Sequence, residues 1–222
     1  MPSIASRYAE LKRDLAAELC ACGRAPGSVR IVAVTKRQPI DALREAVVLG
    51  IEEIGESYLQ EARPKLRAFP KLRAHFIGHL QTNKASGIAA AFDVIQSVDR
   101  LEAGLALAKA AQALGKRLPV LLQVNISPSE RFGVRPEEAV ELAEALRALP
   151  SLELDGVMAI GPLTEDPDAR ARSFERAAAL FGQVGGSTLS LGMSGDWRQA
   201  VRAGSTLIRI GTALFGPRSY RA

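Results

Sequence analysis

The sequence is poor in the residue types that build metal sites and disulfide-rich folds. It contains two cysteines and two histidines in 222 residues. Cys20 and Cys22 are one residue apart and have no histidine near them in sequence, so they do not form a metal-ligand set. Neither histidine has a serine or cysteine placed to suggest a catalytic triad. We therefore expect no bound metal and two reduced, structurally incidental thiols.

Long apolar runs and blocks of like charge are also missing. The longest apolar runs fall far short of the roughly 20 residues needed to cross a bilayer. The segment 1–19 carries charges throughout and lacks the apolar core of a signal peptide, which predicts a cytoplasmic protein with no membrane contact. The net charge of +5 is spread along the chain without a basic block. This pattern argues against nucleic acid as a partner and suits an anionic small ligand.

Short apolar runs alternate regularly with helical or polar stretches. Eight runs are typical of buried strands: 31–35, 53–55, 75–77, 93–97, 120–125, 154–159, 188–191 and 207–210. This alternation predicts an α/β protein with a parallel sheet covered by helices. Closure into a single (β/α)8 TIM barrel leaves no free sheet edge, whereas the alternative, a doubly wound open sheet, leaves two. We predict one barrel domain over residues 1–222.

Helix signals lie between these runs. Pro39 marks one helix start, Asp99 and Glu102 resemble a capping box, and Asp166-Pro167 marks another start. An extra helix within residues 1–22 precedes the first strand, and we expect it to pack on the barrel. Its apolar face is formed by Ile4, Tyr8, Leu11, Leu15 and Leu19.

Lys36 is the first candidate for chemistry. It follows the run 31–35 and shares a strand face with Val32 and Val34. Barrel active sites lie at the C-terminal ends of the strands. Partial burial there favours the neutral amine, which attacks aldehydes. The alternative is a lysine that extends its charge to solvent from a strand end.

Polar groups follow the last two strands. Arg209 is predicted to point into the barrel, because Ile208 and Ile210 face the helices, and its buried guanidinium needs either a structural acid or a ligand as partner. The loops 192–196 and 211–212 hold the glycines and hydroxyls with which barrels often bind phosphate. His79, after the third run, could line the site or cap an element, and His75 is expected to be structural. A phosphorylated carbonyl ligand fits these groups, which leaves a Schiff-base aldolase and a pyridoxal phosphate protein as candidates.

Six ordered motifs carry a resemblance to a known family. They are VAVTK (32–36), GESYLQE (55–61), HFIGHLQTNK (75–84), SVDR (97–100), LGMSGD (191–196) and GSTLIRIGTALFG (204–216). From about Val29 to Gly216 the sequence resembles the YggS/PROSC family, the pyridoxal phosphate homeostasis proteins. The resemblance implies an alanine-racemase-like barrel with pyridoxal 5′-phosphate as a Schiff base on Lys36. It also implies that Arg209 faces the pyridine nitrogen.

The predicted cofactor site combines these two lines of reasoning. By the resemblance, hydroxyl and backbone groups of the last two loops hold the phosphate. The complete predicted set of cofactor-binding residues is Lys36, Ser57, His79, Met193, Ser194, Gly195, Arg209, Gly211 and Thr212.

Three positions depart from the family pattern. Ser57 stands where the family usually has asparagine, and Gln38 stands where many members have a second lysine. Arg131 replaces a lysine found in many members, and it keeps the charge but cannot form a Schiff base. We therefore expect this protein to lack the accessory amines that could take part in loading or releasing the cofactor.

The resemblance implies a cofactor carrier that supplies apo-enzymes and is not itself an enzyme. The alternative is an amino-acid racemase or decarboxylase on the same barrel, and an aldolase is disfavoured by the motifs. Related racemases and decarboxylases add a second domain and dimerise, whereas this sequence runs only six residues past Gly216. We accordingly expect a monomer with little turnover of amino acids. An arginine at the ring nitrogen would also keep the cofactor unreactive.

Overall fold

The computed structural model describes residues 2–127 and 132–217. Eight parallel strands follow one another around a closed barrel, and β8 pairs with β1. The strands are β1 Arg30–Val34, β2 Glu53–Glu56, β3 Arg73–Phe76, β4 Val94–Val98, β5 Leu118–Val124, β6 Leu152–Ala159, β7 Thr188–Ser190 and β8 Leu207–Ile210. Each of the eight predicted runs forms a strand. The predicted (β/α)8 TIM barrel is confirmed, and the open-sheet alternative is wrong.

Helices surround the barrel. They are α1 Ile4–Ala21, α2 Ile40–Val48, α3 Leu59–Ala68, α4 Ala85–Ala91, α5 Leu101–Ala113, α6 Ala139–Arg147, α7 Pro167–Val184, α8 Trp197–Arg202 and α9 Thr212–Phe215. Short 3₁₀ turns, Thr82–Lys84 and Pro136–Glu138, precede α4 and α6. None of the helices in the described part of the chain is long and apolar enough to span a membrane.

The two faces of the barrel strands differ in polarity. Outward-facing strand residues such as Ala33, Ile208 and Ile210 belong to the apolar core that lies between the strands and the helices. The barrel interior also holds polar groups: Ser190 of β7 donates a hydrogen bond to Gln96 of β4, and these strands are not neighbours in the sheet. The inward face of the strands is therefore partly polar. The candidate residues lie at its C-terminal end.

Helix α1 packs on the outside of the barrel as expected. Leu11, Leu15 and Leu19 of its predicted apolar face are buried, while Ile4 and Tyr8 are partly buried against the same core. The helix contacts α2, α8 and α9. It therefore supports the element that begins with Thr212.

The helix-start predictions had mixed outcomes. Asp166 caps α7, since its side chain accepts a hydrogen bond from the Asp168 backbone at 2.9 Å. The capping box at the start of α5 was wrong: the N-cap residue is Arg100, and its side chain makes no capping hydrogen bond. Asp99 instead pairs with the Arg100 guanidinium at 2.7 Å. It lies one residue too early in the chain to cap the helix.

Candidate functional site

A cavity of about 290 Å³ opens at the C-terminal end of the barrel. Its lining residues are Val34, Lys36, Ile77, Met158, Ile160, Met193, Ser194, Gly195, Arg209, Gly211 and Thr212. They come from the ends of several strands and from the loops that follow β7 and β8. The cavity therefore lies where (β/α)8 barrels carry their functional sites.

Seven of the nine predicted residues line this cavity, and two lie outside the lining. The seven are Lys36, Met193, Ser194, Gly195, Arg209, Gly211 and Thr212. His79 is exposed, and its ring stacks on Phe132 with centroids 3.9 Å apart. Ser57 is half-buried, and its backbone packs so closely against Gly78 that a Cβ there would lie 2.2 Å from the Ser57 carbonyl oxygen. A role for Ser57 and His79 stays a prediction, while Arg131 lies outside the described residues.

Sequence reasoning missed the apolar wall of the cavity. Val34, Ile77, Met158 and Ile160 supply it, in each case from the last residues of a strand or directly after one. Strand alternation was the available signal, because Val34 shares a face with Lys36. This wall gives the cavity a surface against which a flat ring can pack.

Lys36 is held in a well-defined turn directly after β1. Its side chain is half-buried, and the next residue, Arg37, has the left-handed φ of 62° that is uncommon for a residue other than glycine. The Arg37 backbone donates to Glu61, and the Gln38 backbone donates to the Thr35 carbonyl at 3.0 Å. These bonds determine where the Lys36 side chain leaves the backbone.

A second buried lysine lies close in space but is fully engaged. Lys65 of α3 donates to the Thr35 carbonyl at 2.6 Å, to Glu56 at 2.7 Å and to Glu61 at 3.0 Å. An ammonium has three N–H donors, so all three are used. Burial raises the pKa of Glu56, against the hydrogen bonds from Lys65 and Thr35. Lys65 therefore anchors the end of β1, and Lys36 is the lysine that lines the cavity.

Ser194 joins the two loops predicted to bind phosphate. Its Oγ accepts hydrogen bonds from the Gly211 backbone at 3.2 Å and from the Ala213 backbone at 3.1 Å. A hydroxyl that accepts two bonds keeps one proton to donate. A Cβ built on Gly195 meets nothing within 4 Å, so the backbone there is open to a ligand. Thr212 also lines the cavity.

Arg209 forms another wall of the cavity and is anchored from behind. Its Nη1 donates to the Ser190 carbonyl at 2.8 Å and to Ser190 Oγ at 2.7 Å, and its Nη2 donates to the Ala159 carbonyl at 2.9 Å. Burial lowers the pKa of Arg209 to about 10, opposed by the charge of Asp196. The group stays cationic at neutral pH. The carboxylate whose charge acts on Arg209 is that of Asp196, so both a structural acid and a ligand stay possible partners for the guanidinium.

The donor set suits a small phosphorylated aldehyde with an aromatic ring. An amine, an apolar wall, a guanidinium, and hydroxyl and backbone donors converge on one cavity close to the usual size of small-ligand sites. No His, Cys, Asp and Glu group in the described ranges could hold a metal ion. The fold and the site together define a (β/α)8 barrel protein with a small-ligand cavity that is lined by a lysine, an arginine and hydroxyl groups.

The comparisons identify the family. The sequence matches the family described as alanine racemase, N-terminal domain, over residues 19–219. It is 42% identical to the pyridoxal phosphate homeostasis protein of Pseudomonas aeruginosa, an alignment that covers 100% of this chain and 99% of that protein. It is 39% identical to the protein of the same name from Escherichia coli strain K12, with 99% of each covered. The chain belongs to the family of pyridoxal phosphate homeostasis proteins.

A solved structure supports the same assignment. PipY of Synechococcus elongatus, determined with PLP bound, superposes with a TM-score of 0.85 and is 34% identical to this chain. The match covers 96% of this chain and 100% of PipY. The alanine-racemase-like barrel implied by the six motifs is therefore confirmed.

Proposed function

We propose that this protein binds pyridoxal 5′-phosphate through Lys36, keeps the reactive aldehyde sequestered and supplies the cofactor to apo-enzymes. The observation that carries the proposal is that Lys36 and the phosphate loops line one cavity. The Lys36 amine would form one C=N bond with the aldehyde carbon, a Schiff base, and release one water. Hydrolysis reverses this step, which suits a protein that must also give the cofactor away.

Different lining residues would contact different parts of the cofactor. Ser194 and Thr212 would donate their hydroxyl protons to the phosphate, and Gly195 and Gly211 allow its close approach to the backbone. Arg209 would face the pyridine nitrogen. Ser57 and His79, outside the lining, would act only at its edge.

Homeostasis is favoured over catalysis by the chemistry of Arg209. Enzymes that need a strong electron sink place a carboxylate at the pyridine nitrogen and keep that nitrogen protonated. A guanidinium can only donate a proton in a hydrogen bond, so a nitrogen facing Arg209 stays unprotonated. The bound cofactor then stabilises a carbanion poorly. The names of the relatives likewise describe cofactor homeostasis, whereas the racemase alternative has less support.

The setting in which the protein works is part of the proposal. We infer a cytoplasmic monomer whose recipients are apo-enzymes that use pyridoxal phosphate. Size-exclusion chromatography with light scattering tests the monomer. Reactivation of a purified apo-enzyme by the loaded protein tests delivery.

Borohydride trapping tests the central proposal. The purified protein loaded with pyridoxal phosphate should show a visible absorption band, and reduction followed by peptide mapping should find the label on Lys36. Lys36→Arg keeps the charge but should abolish both the band and the label. Lys84→Arg is the matched control, because Lys84 is exposed in the turn after β3. A label on another lysine, or an unchanged band in Lys36→Arg, would refute the proposal.

A further inference from the structure

A series of buried polar side chains crosses the inside of the barrel, starting at the cavity. Arg209 Nη1 lies 2.7 Å from Ser190 Oγ, and Ser190 Oγ lies 2.7 Å from Gln96 Oε1. Gln96 Nε2 lies 2.9 Å from His75 Nδ1, and His75 Nε2 lies 2.8 Å from Glu53 Oε2. These five residues, here called the interior series, come from β8, β7, β4, β3 and β2.

The Arg209 guanidinium and the orientation of the Gln96 amide, with Oε1 toward Ser190 and Nε2 toward His75, together determine the direction of the hydrogen bonds in the series. Arg209 can only donate, so Ser190 Oγ accepts from it and gives its single proton to Gln96 Oε1. Gln96 then presents its amide nitrogen to His75, whose Nδ1 must accept. The remaining ring proton lies on Nε2 and is donated to the Glu53 carboxylate. His75 is therefore neutral and held in the Nε2–H tautomer.

The interior series connects opposite ends of the barrel. Arg209 lines the cavity at the C-terminal end, whereas Glu53 is the first residue of β2 and pairs with Arg30, the first residue of β1, at 3.3 Å. Ser190 and Gln96 are completely buried, His75 is 1% exposed and Arg209 is 4% exposed. Water cannot replace a lost partner easily at such depth, so each bond in the series restrains the next.

The burial of His75 and the charges around it agree with a neutral His75 that donates to Glu53. Burial lowers the pKa of His75, the guanidinium groups of Arg73 on its own strand and Arg30 on β1 add to this effect, and Glu53 on β2 opposes it. Burial alone would raise the pKa of Glu53, but the hydrogen bond and charge of His75, together with Arg30 and Arg73, outweigh it and lower that pKa. The series thus has a cation at the cavity and a carboxylate at the far end.

We propose that Gln96 and Ser190, supported by His75 and Glu53, are positioning residues that hold the Arg209 guanidinium against the cavity in one orientation. The inference rests on the proposed function, in which Arg209 faces the cofactor ring. Three hydrogen bonds anchor Arg209 to Ser190 and Ala159, so its remaining N–H groups point to a ligand only while Ser190 stays in place. Ser190 in turn is oriented by Gln96.

Nitrogen NMR of the cofactor-free protein tests the direction of the series. The sequence contains two histidines, so the imidazole spectrum is simple, and His79→Gln assigns it. At neutral pH, His75 should be neutral and should carry its proton on Nε2. Gln96→Leu should remove this single tautomer. A charged His75 or an Nδ1–H tautomer in the parent protein would overturn the inference.

The release rate of pyridoxal phosphate tests the positioning role. Gln96→Leu should release the cofactor about tenfold faster. Without Gln96 the Ser190 hydroxyl is no longer oriented, and the hydrogen bond from the charged Arg209 guanidinium to Ser190 is weakened. The matched control is Ser97→Ala on the same strand, because Ser97 Oγ is buried and has no partner in the described structure. Its release rate should equal that of the parent.

Gln96→Glu keeps the shape and separates positioning from general damage. Its carboxylate can accept from both Ser190 and a protonated His75, so slow release should be retained while His75 becomes charged in the NMR spectrum. Equal release rates for Gln96→Leu and Ser97→Ala would overturn the positioning role. If the parent protein binds no pyridoxal phosphate, the proposed function fails instead, and the tautomer measured without cofactor still decides whether the series exists.

Discussion

At the scale of single residues, Ser194 shows how one hydroxyl organises a binding loop. It accepts two backbone N–H groups from the segment that begins α9, which leaves its own proton for a ligand. The helices next to it, α8 and α9, have six and four residues, so their dipoles are short. In the proposed function, the hydroxyls and backbone donors would therefore supply most of the attraction for the phosphate.

Ser194→Ala is expected to weaken pyridoxal phosphate binding by on the order of tenfold, because it removes a charge-assisted hydrogen bond worth roughly 1.5–3 kcal/mol. Binding of unphosphorylated pyridoxal, which we expect to be weak in the parent, should change little. Equilibrium titration with both compounds measures the difference. Ser86→Ala, at an exposed position of α4, is the control. An equal loss of affinity for both compounds would show that Ser194 does not contact the phosphate.

At the scale of secondary structure, β6 owes its shape to one glycine. The pairing of β5 with β6 shifts register between Val120 and Leu121, and Gly156 at this point has a φ of 143°. A Cβ there would lie 2.0 Å from the Thr188 carbonyl oxygen. Only glycine allows β7 to approach so closely, and the bulge lies beside Asp155, whose carboxylate accepts from Thr188 at 2.7 Å.

The buried ion pair between Glu56 of β2 and Lys65 of α3 is also linked to the end of β1, directly before Lys36, through the hydrogen bond from Lys65 to the Thr35 carbonyl. Lys65→Met should cost about 3–5 kcal/mol of unfolding free energy, because it leaves the Glu56 carboxylate buried without its cation. Glu56→Gln combined with Lys65→Met should recover part of the loss. Urea unfolding measures both.

Lys71→Met, at an exposed position before β3, provides the control for the loss of a lysine charge. Burial raises the pKa of Glu56 above its ordinary 4.5, and the hydrogen bond and charge of Lys65 oppose this rise, so in Lys65→Met the pKa should rise further and the folded variant should bind this proton more readily than the folded parent. The deficit of Lys65→Met should therefore shrink as the pH falls toward 4.5. A deficit that is small or independent of pH would contradict this account of the pair.

At the scale of the whole molecule, the free energy of unfolding should depend on pH. In acid the unfolded chain binds protons that the folded protein does not, and this favours the unfolded state. Burial lowers the pKa of His75 below 6.5, so below pH 6.5 the unfolded chain binds a proton that the folded protein does not. The free energy of unfolding should fall as the pH is lowered from 6.5. The lowered pKa of Glu53 acts with the same sign below 4.5.

Unfolding midpoints in urea between pH 7.5 and 5.0 check this expectation. His75→Gln should lose most of the pH dependence in this range, whatever its stability at neutral pH. His79→Gln is the matched histidine control, because His79 is exposed. The same slope in the parent and in His75→Gln would show that other groups dominate.

The sequence by itself determined the architecture and much of the site. Apolar runs of strand length, alternating with amphipathic helices, predicted all eight strands and the barrel. The alternation around Arg209 predicted an inward side chain, and Lys36 was predicted to lie at the mouth of β1. These features follow from local periodicity, which specifies the face of an element on which each residue lies.

Only the tertiary structure decided which of these faces meet. Gln96 and Ser190 are 94 positions apart, and their hydrogen bond exists because the closed barrel places β4 across from β7. His75 seemed only structural from its sequence position, and Lys65 carried no signal at all. The cavity likewise depends on strand ends that converge from around the barrel. Local periodicity does not encode the register and closure that set these distances, so contacts between distant strands became visible only in the folded molecule.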